Sequence, residues 1–182
     1  MSENCGAPIE KDGKIHRVFV YGTLKKNLPN HDWLTDNGKG MATFIGDAFT
    51  EELFPLVIAS QYHIPCLLYT RNVGHHVKGE VYEVDDQMLL NLDKLEEHPH
   101  LYERIVAPIR LCVDNKNLPD KPEHWTYENT EAWIYFIRHM NANLLQEPYL
   151  SDYQNSNEDK KYIASEDDCT LDDLLGVSNK NS

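Results

Sequence analysis

The sequence predicts an α+β fold, a mixed β-barrel with a few flanking helices. From about residue 17 to residue 137, short β-like runs alternate with turn residues such as Gly, Pro, Asn and Asp, which is the pattern of strands joined by tight connections. Only two segments of that stretch carry helical signals. Many strands and few helices disfavour a doubly wound α/β sheet, which needs a helix between successive strands. The longest apolar runs, such as Leu56-Val57-Ile58-Ala59 and Pro65-Cys66-Leu67-Leu68, fall far below the roughly 20 residues that span a bilayer, so no membrane segment is expected.

In chain order, strands are expected at 17–21, 42–49, 56–59, 66–69, 77–84, 104–113 and 131–137. The first ends on Tyr21-Gly22, where glycine lets the chain turn sharply. A short helix is expected from His31 to Asp36, closed by Asn37-Gly38. A second helix is expected from Asp85, an N-cap candidate, through Glu97, stopping before Pro99. The stretch 114–129, with two prolines and six charged residues, reads as a long surface hairpin excursion. The chain divides into a flexible N-terminus (1–15), a barrel domain (16–153) and an acidic tail (154–182). Within the tail, 165–176 has the pattern of an acidic amphipathic turn or two.

Net charge is −13, from 30 acidic and 17 basic residues, which argues against nucleic acid or an anionic membrane as partner. Cys5, Cys66, Cys112 and Cys169 are scattered without a C-x-x-C pair, so neither a disulfide framework nor a zinc site of usual spacing is expected. The N-terminus lacks the basic and apolar regions of a signal peptide, and a cytoplasmic address is the expectation.

Glu96 is the most informative residue. At about 100° per residue, Met88, Leu89, Leu92 and Leu95 share one helix face, and Glu96 falls between the directions of Leu92 and Leu89. A carboxylate turned inward costs several kcal/mol unless it is paired, neutralised or lining a wet cavity. Two readings stay open on pattern alone: a helix-end glutamate that snorkels outward or accepts backbone hydrogen bonds, and a general acid/base whose pKa is raised by an apolar pocket. Glu80 and Glu83, on the preceding strand, are the alternative acids. The loop Tyr21-Gly22-Thr23-Leu24 reads either as an ordinary bend or as a run of backbone N–H groups presented to a polar ligand. His75-His76 and His98-x-His100 lack a third ligand at convincing spacing and read as solvated histidines rather than a metal site.

Four ordered blocks carry a resemblance: Tyr21-Gly22-Thr23-Leu24-Lys25-Lys26-x-x-Pro29-Asn30-His31; Phe54-Pro55-Leu56-Val57-Ile58; Val77-x-Gly79-Glu80-Val81-Tyr82-Glu83-Val84; and Leu92-Asp93-x-x-Glu96-x-x-Pro99-x-x-Tyr102-x-Arg104. Together they resemble the γ-glutamylamine cyclotransferase family, within the γ-glutamyl cyclotransferase-like superfamily, with weaker similarity continuing to Tyr153. The resemblance implies a compact β-barrel with flanking helices, no cofactor and no metal. It implies a cavity floored by Tyr21, Gly22, Thr23 and Leu24, and Glu96 as catalytic acid/base. The implied substrate is a small γ-glutamyl amide of an amine, such as γ-glutamyl-ε-lysine, released as 5-oxoproline and the free amine. Cyclotransfer on γ-glutamyl amino acids is the alternative chemistry, and a non-catalytic module binding a small ligand or a protein is the alternative class. Oligomeric state is left open. Asn27 stands where the resemblance leads one to expect glycine, Leu95 where an aromatic residue is common, and neither 114–129 nor the tail after Glu158 has a clear counterpart.

Overall fold

A computed structural model describes residues 13–113, 126–156 and 161–163. Five strands close into a barrel in the order β1-β5-β2-β6-β7, and two more form a separate hairpin. The barrel strands are β1 (His16–Val20), β2 (Ala42–Thr50), β5 (Lys78–Val84), β6 (Glu103–Cys112) and β7 (Tyr127–Phe136); the hairpin is β3 (Leu56–Ala59) with β4 (Ile64–Leu67). The helices are α1 (Asp32–Thr35) and α2 (Asp86–Leu95). The expected α+β barrel is therefore present, built from five of the seven strands. Closure rests on β1, which pairs antiparallel with β5 and parallel with β7 through Val18 and Trp133.

The continuous apolar run Val18-Phe19-Val20 follows from this position, because β1 is buried on both faces. Phe19 points into a cluster with Ala48, Val81, Ile109 and Ile134, one or more residues from every barrel strand, which fills the interior. Val18 and Val20 point the other way, into a cluster with Tyr82, Val84, Met88, Leu89 and Leu92 that seats α2 on the outside of the barrel. The expected apolar face of the helix is thus the face that docks. The long hairpin of β6 and β7 runs in register from Glu103–Phe136 to Cys112–Tyr127.

Several boundaries differ from expectation, each for a local reason. α1 does not close on Gly38. The Asp36 side chain accepts from the Gly38 N–H, starting a 3-10 turn over Asn37–Lys39, and the positive φ falls on Gly40 at 123°. Strand β4 starts two residues early at Ile64, since the hairpin register pairs Ala59 with Ile64. Strand β7 starts at Tyr127 rather than 131, because polar residues face solvent where only the apolar half was legible. Residues 1–12, the excursion from 114 to 125, the segment 165–176 and Cys5 and Cys169 lie outside the described residues.

Gly79, on β5, lies where the barrel is tightest. A Cβ there would sit 2.4 Å from the Phe19 ring and 2.5 Å from the Val20 carbonyl oxygen. Gly79→Ala is expected to destabilise the protein by about 1–3 kcal/mol through overpacking against backbone that cannot yield, measured as a lowered urea midpoint at unchanged m-value. An unchanged midpoint would show that β1 and β5 are not this close.

Candidate active site

Helix α2 is launched by Asp85, whose side chain accepts from the Met88 N–H at 2.8 Å. It ends before Glu96, a correction to the expected helix through Glu97. The His98 N–H donates to the Asp93 carbonyl at 2.8 Å and the Glu97 N–H to the Lys94 carbonyl at 3.3 Å. This double closure places Glu97 in the left-handed region, at φ 49°, a position that glycine more often fills. Glu96 is therefore the capping residue, still donating its N–H to the Leu92 carbonyl at 2.9 Å. Its carbonyl then accepts from the Tyr102 N–H at 3.2 Å, folding the chain back so that both residues line one cavity.

The opposite wall comes from the loop after β1. It is braced from within: the Lys25 N–H donates to the Gly22 carbonyl, the Asn30 N–H to the Thr23 carbonyl, and the Asn30 side chain to Thr23 Oγ1, each at 3.0 to 3.1 Å. His31 Nδ1 meets the Leu24 carbonyl at 3.0 Å. Asn27, where glycine was expected, adopts φ 64°, a conformation asparagine tolerates better than most residues. The Lys25 ammonium is buried and pairs with Asp152. Among the described residues, the N–H groups of Gly22, Thr23 and Leu24 have no acceptor within the protein. Gly22 cannot carry a side chain, because its Cβ would lie 2.8 Å from the Pro65 ring on the facing hairpin.

These two walls enclose a cavity of about 400 Å³ including its open mouth, lined by Val20, Tyr21, Gly22, Thr23, Leu24, Phe19, Pro65, Glu96, Tyr102 and Tyr135. All five residues singled out in the sequence meet there. Glu96 supplies the one carboxyl among them. It is half-buried as a residue, yet enough protein surrounds its carboxyl that burial pushes the pKa up to about 7. Burial above all, reinforced by neighbouring acids, holds the phenols of Tyr21, Tyr102 and Tyr135 well above their ordinary range, so the cavity is walled by neutral hydroxyls.

Tyr21 contributes differently from the other loop residues. Its hydroxyl donates to the Tyr135 carbonyl at 2.8 Å and accepts from the Leu67 N–H at 3.3 Å, tying β7 to the β3–β4 hairpin across the base of the site. The Tyr135 hydroxyl donates to Asp93 at 2.7 Å, and Asp93 pairs with Arg104 at 3.0 Å. Arg104, the cation named in the Glu96 motif block, is thus committed to another acid.

Phe19, Val20, Pro65, Tyr102 and Tyr135 are the lining residues that the sequence reading did not assign. Tyr102 stood in a quoted block, six residues after Glu96, and that block was the available signal. The alternative acids are engaged elsewhere: Glu80 accepts from the Lys26 N–H at 2.9 Å and the Tyr82 hydroxyl at 2.8 Å, and Glu83 pairs with Arg17 at 3.3 Å. His98 Nδ1 accepts from the Arg104 N–H at 3.1 Å, and His76 Nδ1 lies 3.1 Å from the Thr50 carbonyl. Among the described residues no three His, Cys, Asp or Glu side chains converge as metal ligands.

Fold and site together define a small closed-barrel protein with one acid set in a cavity between a backbone loop and a helix end. Residues 18–155 match the family model of γ-glutamyl cyclotransferase, AIG2-like proteins, and the chain belongs to this enzyme family. A γ-glutamylaminecyclotransferase of Bos taurus is 39% identical over 153 residues, covering 82% of this chain and 84% of that one. A Drosophila melanogaster protein, whose name assigns it γ-glutamylcyclotransferase activity only provisionally, is 42% identical over 149 residues, covering 82% and 87%. The crystal structure of an AIG2-like protein from Mus musculus superposes with a TM-score of 0.74 at 35% identity, over 85% of this chain and 99% of that one.

A carboxyl whose folded pKa is raised binds its proton more tightly in the native state, so it lowers stability as pH rises from its unfolded value to its folded one. For Glu96 that window runs from 4.5 to about 7. Glu96→Gln is expected to be more stable than the parent at pH 8 by about 3 kcal/mol, with the difference disappearing below the window. Urea unfolding across pH measures this directly; a difference independent of pH would contradict the raised pKa.

Proposed function

We propose that this protein is a γ-glutamylamine cyclotransferase, releasing 5-oxoproline and a free amine from γ-glutamyl amides such as γ-glutamyl-ε-lysine, with Glu96 as acid/base. The observation that carries the reading is one carboxyl, pushed up to a pKa of about 7 by burial, in a cavity also lined by Gly22, Thr23 and Leu24, whose N–H groups have no acceptor among the described residues.

A γ-glutamyl amide holds its own nucleophile. Its α-amine reaches the γ-carbonyl to close a five-membered ring, so neither a serine nor a cysteine nucleophile is required. Glu96, ionised, takes a proton from the α-ammonium. The freed amine attacks the γ-carbon and the carbonyl oxygen takes up negative charge. As the carbonyl reforms, the bond to the leaving nitrogen breaks, and protonated Glu96 delivers its proton to that nitrogen. Glu96 then takes the second proton from the ring nitrogen and passes it to the departing amine, so two protons leave the α-nitrogen, two reach the amine as its ammonium, and the ring forms without net acid or base. A base with a pKa near 7 matches this shuttle better than an ordinary carboxylate, since it must accept and return a proton at neutral pH.

The N–H groups of Gly22, Thr23 and Leu24 suit the substrate α-carboxylate or the oxyanion, and the cavity walls supply orientation. Relatives named for γ-glutamylamine substrates support the choice of leaving group. The leaving amine distinguishes this from the second reading, cyclotransfer on γ-glutamyl amino acids, which the Drosophila relative's name favours.

Glu96→Gln is expected to lower 5-oxoproline release from γ-glutamyl-ε-lysine by at least about 10³-fold while leaving the far-UV dichroism unchanged; turnover at the parent rate would remove Glu96 from the mechanism. In the parent, kcat/KM is expected to rise with pH through an inflection near 7 as Glu96 ionises. A pH–rate profile with its acid limb near 4.5 would show instead an unperturbed carboxylate.

A further inference from the structure

The family match ends at residue 155, yet three residues beyond it are bound both to the loop after β1 and to the β3–β4 hairpin. The Ile163 N–H donates to the Tyr62 carbonyl at 3.0 Å, and the His63 ring lies 2.9 Å from the Lys161 carbonyl, its Nδ1 the donor. Tyr62 and His63 lie in the turn of the β3–β4 hairpin, His63 two residues before Pro65, which lines the cavity and packs close to Gly22. His63 itself sits at φ 54° and Ser60 at φ 60°, a tight turn that holds the ring at its carbonyl partner.

The middle residue reaches the loop after β1. Asn30 Nδ2 donates to the Tyr162 hydroxyl oxygen at 3.4 Å and to Thr23 Oγ1 at 3.0 Å, so one amide group links Tyr162 to a cavity-lining residue. The Tyr162 backbone N–H is anchored on Asn155 Oδ1 at 2.8 Å, and Asn155 Oδ1 also accepts from the Tyr153 hydroxyl at 3.1 Å. Four hydrogen bonds thus hold three residues between the Thr23–Asn30 loop and the turn of the β3–β4 hairpin.

We propose that Lys161–Ile163 is a strap that fixes the loop after β1 against the β3–β4 hairpin, with Tyr162 a positioning residue that acts on substrate binding through Asn30 and Thr23. Neither Tyr162 nor Asn30 lines the cavity, so the strap touches no reacting atom. It sets where the loop stands relative to Pro65, and so where the loop N–H groups meet a ligand in the cavity. The effect on catalysis rests on the cyclotransferase reading above; the mechanical coupling of strap to loop does not.

The full-length chain is compared with Tyr162→Ala, which removes the reach to Asn30, Tyr162→Phe, which removes only the hydroxyl, and Asn155→Ala, which removes the anchor. Amide hydrogen exchange at Asn30, whose N–H bonds the Thr23 carbonyl, is expected to quicken about fivefold in Tyr162→Ala, the scale of one net hydrogen bond. Tyr162→Phe and Asn155→Ala are expected to move it in the same direction. With γ-glutamyl-ε-lysine, KM is expected to rise by a similar factor at kcat within about twofold of the parent, the signature of lost ground-state positioning. Parent-like exchange at Asn30 in all three variants, or a fall in kcat at constant KM, would overturn the strap. A parent chain that releases no 5-oxoproline would refute the functional reading alone, and the exchange rates would still decide the strap.

Discussion

Strand β1 closes the barrel, pairing antiparallel with β5 and parallel with β7, and the chain turns at Tyr21-Gly22 directly after it. The closure point and the loop that floors the cavity are therefore one stretch of chain. Both faces of β1 are buried, Phe19 in the barrel interior and Val18 and Val20 under α2. A displacement of β1 along its neighbours by one residue would exchange these faces and turn the whole loop away from Glu96, so the register carries the site. Tyr21 reinforces it by tying the β7 carbonyl at Tyr135 to the β4 N–H at Leu67.

The site opposes that loop with a helix end that is closed tightly for a non-glycine sequence. Glu97 occupies the left-handed position, and the resulting turn returns the chain so that Tyr102 joins Glu96 in the cavity. Arg104 is held by Asp93 and stacked over Trp133 at 4.5 Å, leaving burial as the cause of the Glu96 pKa. A carboxyl whose pKa is raised by desolvation costs the fold stability at neutral pH, an exchange commonly met at active sites. The three neutral phenols around it keep the cavity polar without adding charge.

How the loop after β1 is held to the hairpin beside it is a separate matter from the chemistry of the site. The loop follows a barrel strand, whereas Pro65 comes from the β3–β4 hairpin, which is not part of the barrel sheet. Tyr21 joins them at the base of the site, and Lys161–Ile163 bonds to both as well. Two such ties restrict how far the loop can move against the hairpin, which is what a site built on backbone N–H groups would require.

Much of this was legible in the residues themselves. Alternation of short apolar runs with turn residues implied many strands, because side-chain burial in a sheet repeats every two residues; the spacing of Met88, Leu89 and Leu92 implied the docking face of α2 for the corresponding helical reason. Glu96 stood out because a charge on that face demands an explanation, and the family blocks named the loop that meets it. Strand order, the exclusion of β3 and β4 from the barrel, and the start of β7 among polar residues were not legible, since pairing partners lie far apart in sequence and carry no local signal. Residue pattern was enough for the strands and helices to within a few residues and for a carboxylate on the apolar face of α2, while the loop at Tyr21–Leu24 read equally as a plain bend. That Glu96 and this loop share a cavity completed by Pro65, Tyr102 and Tyr135, and that Tyr162 reaches Asn30, emerges only from the folded chain, because those contacts join segments whose separation along the chain says nothing about their distance in space.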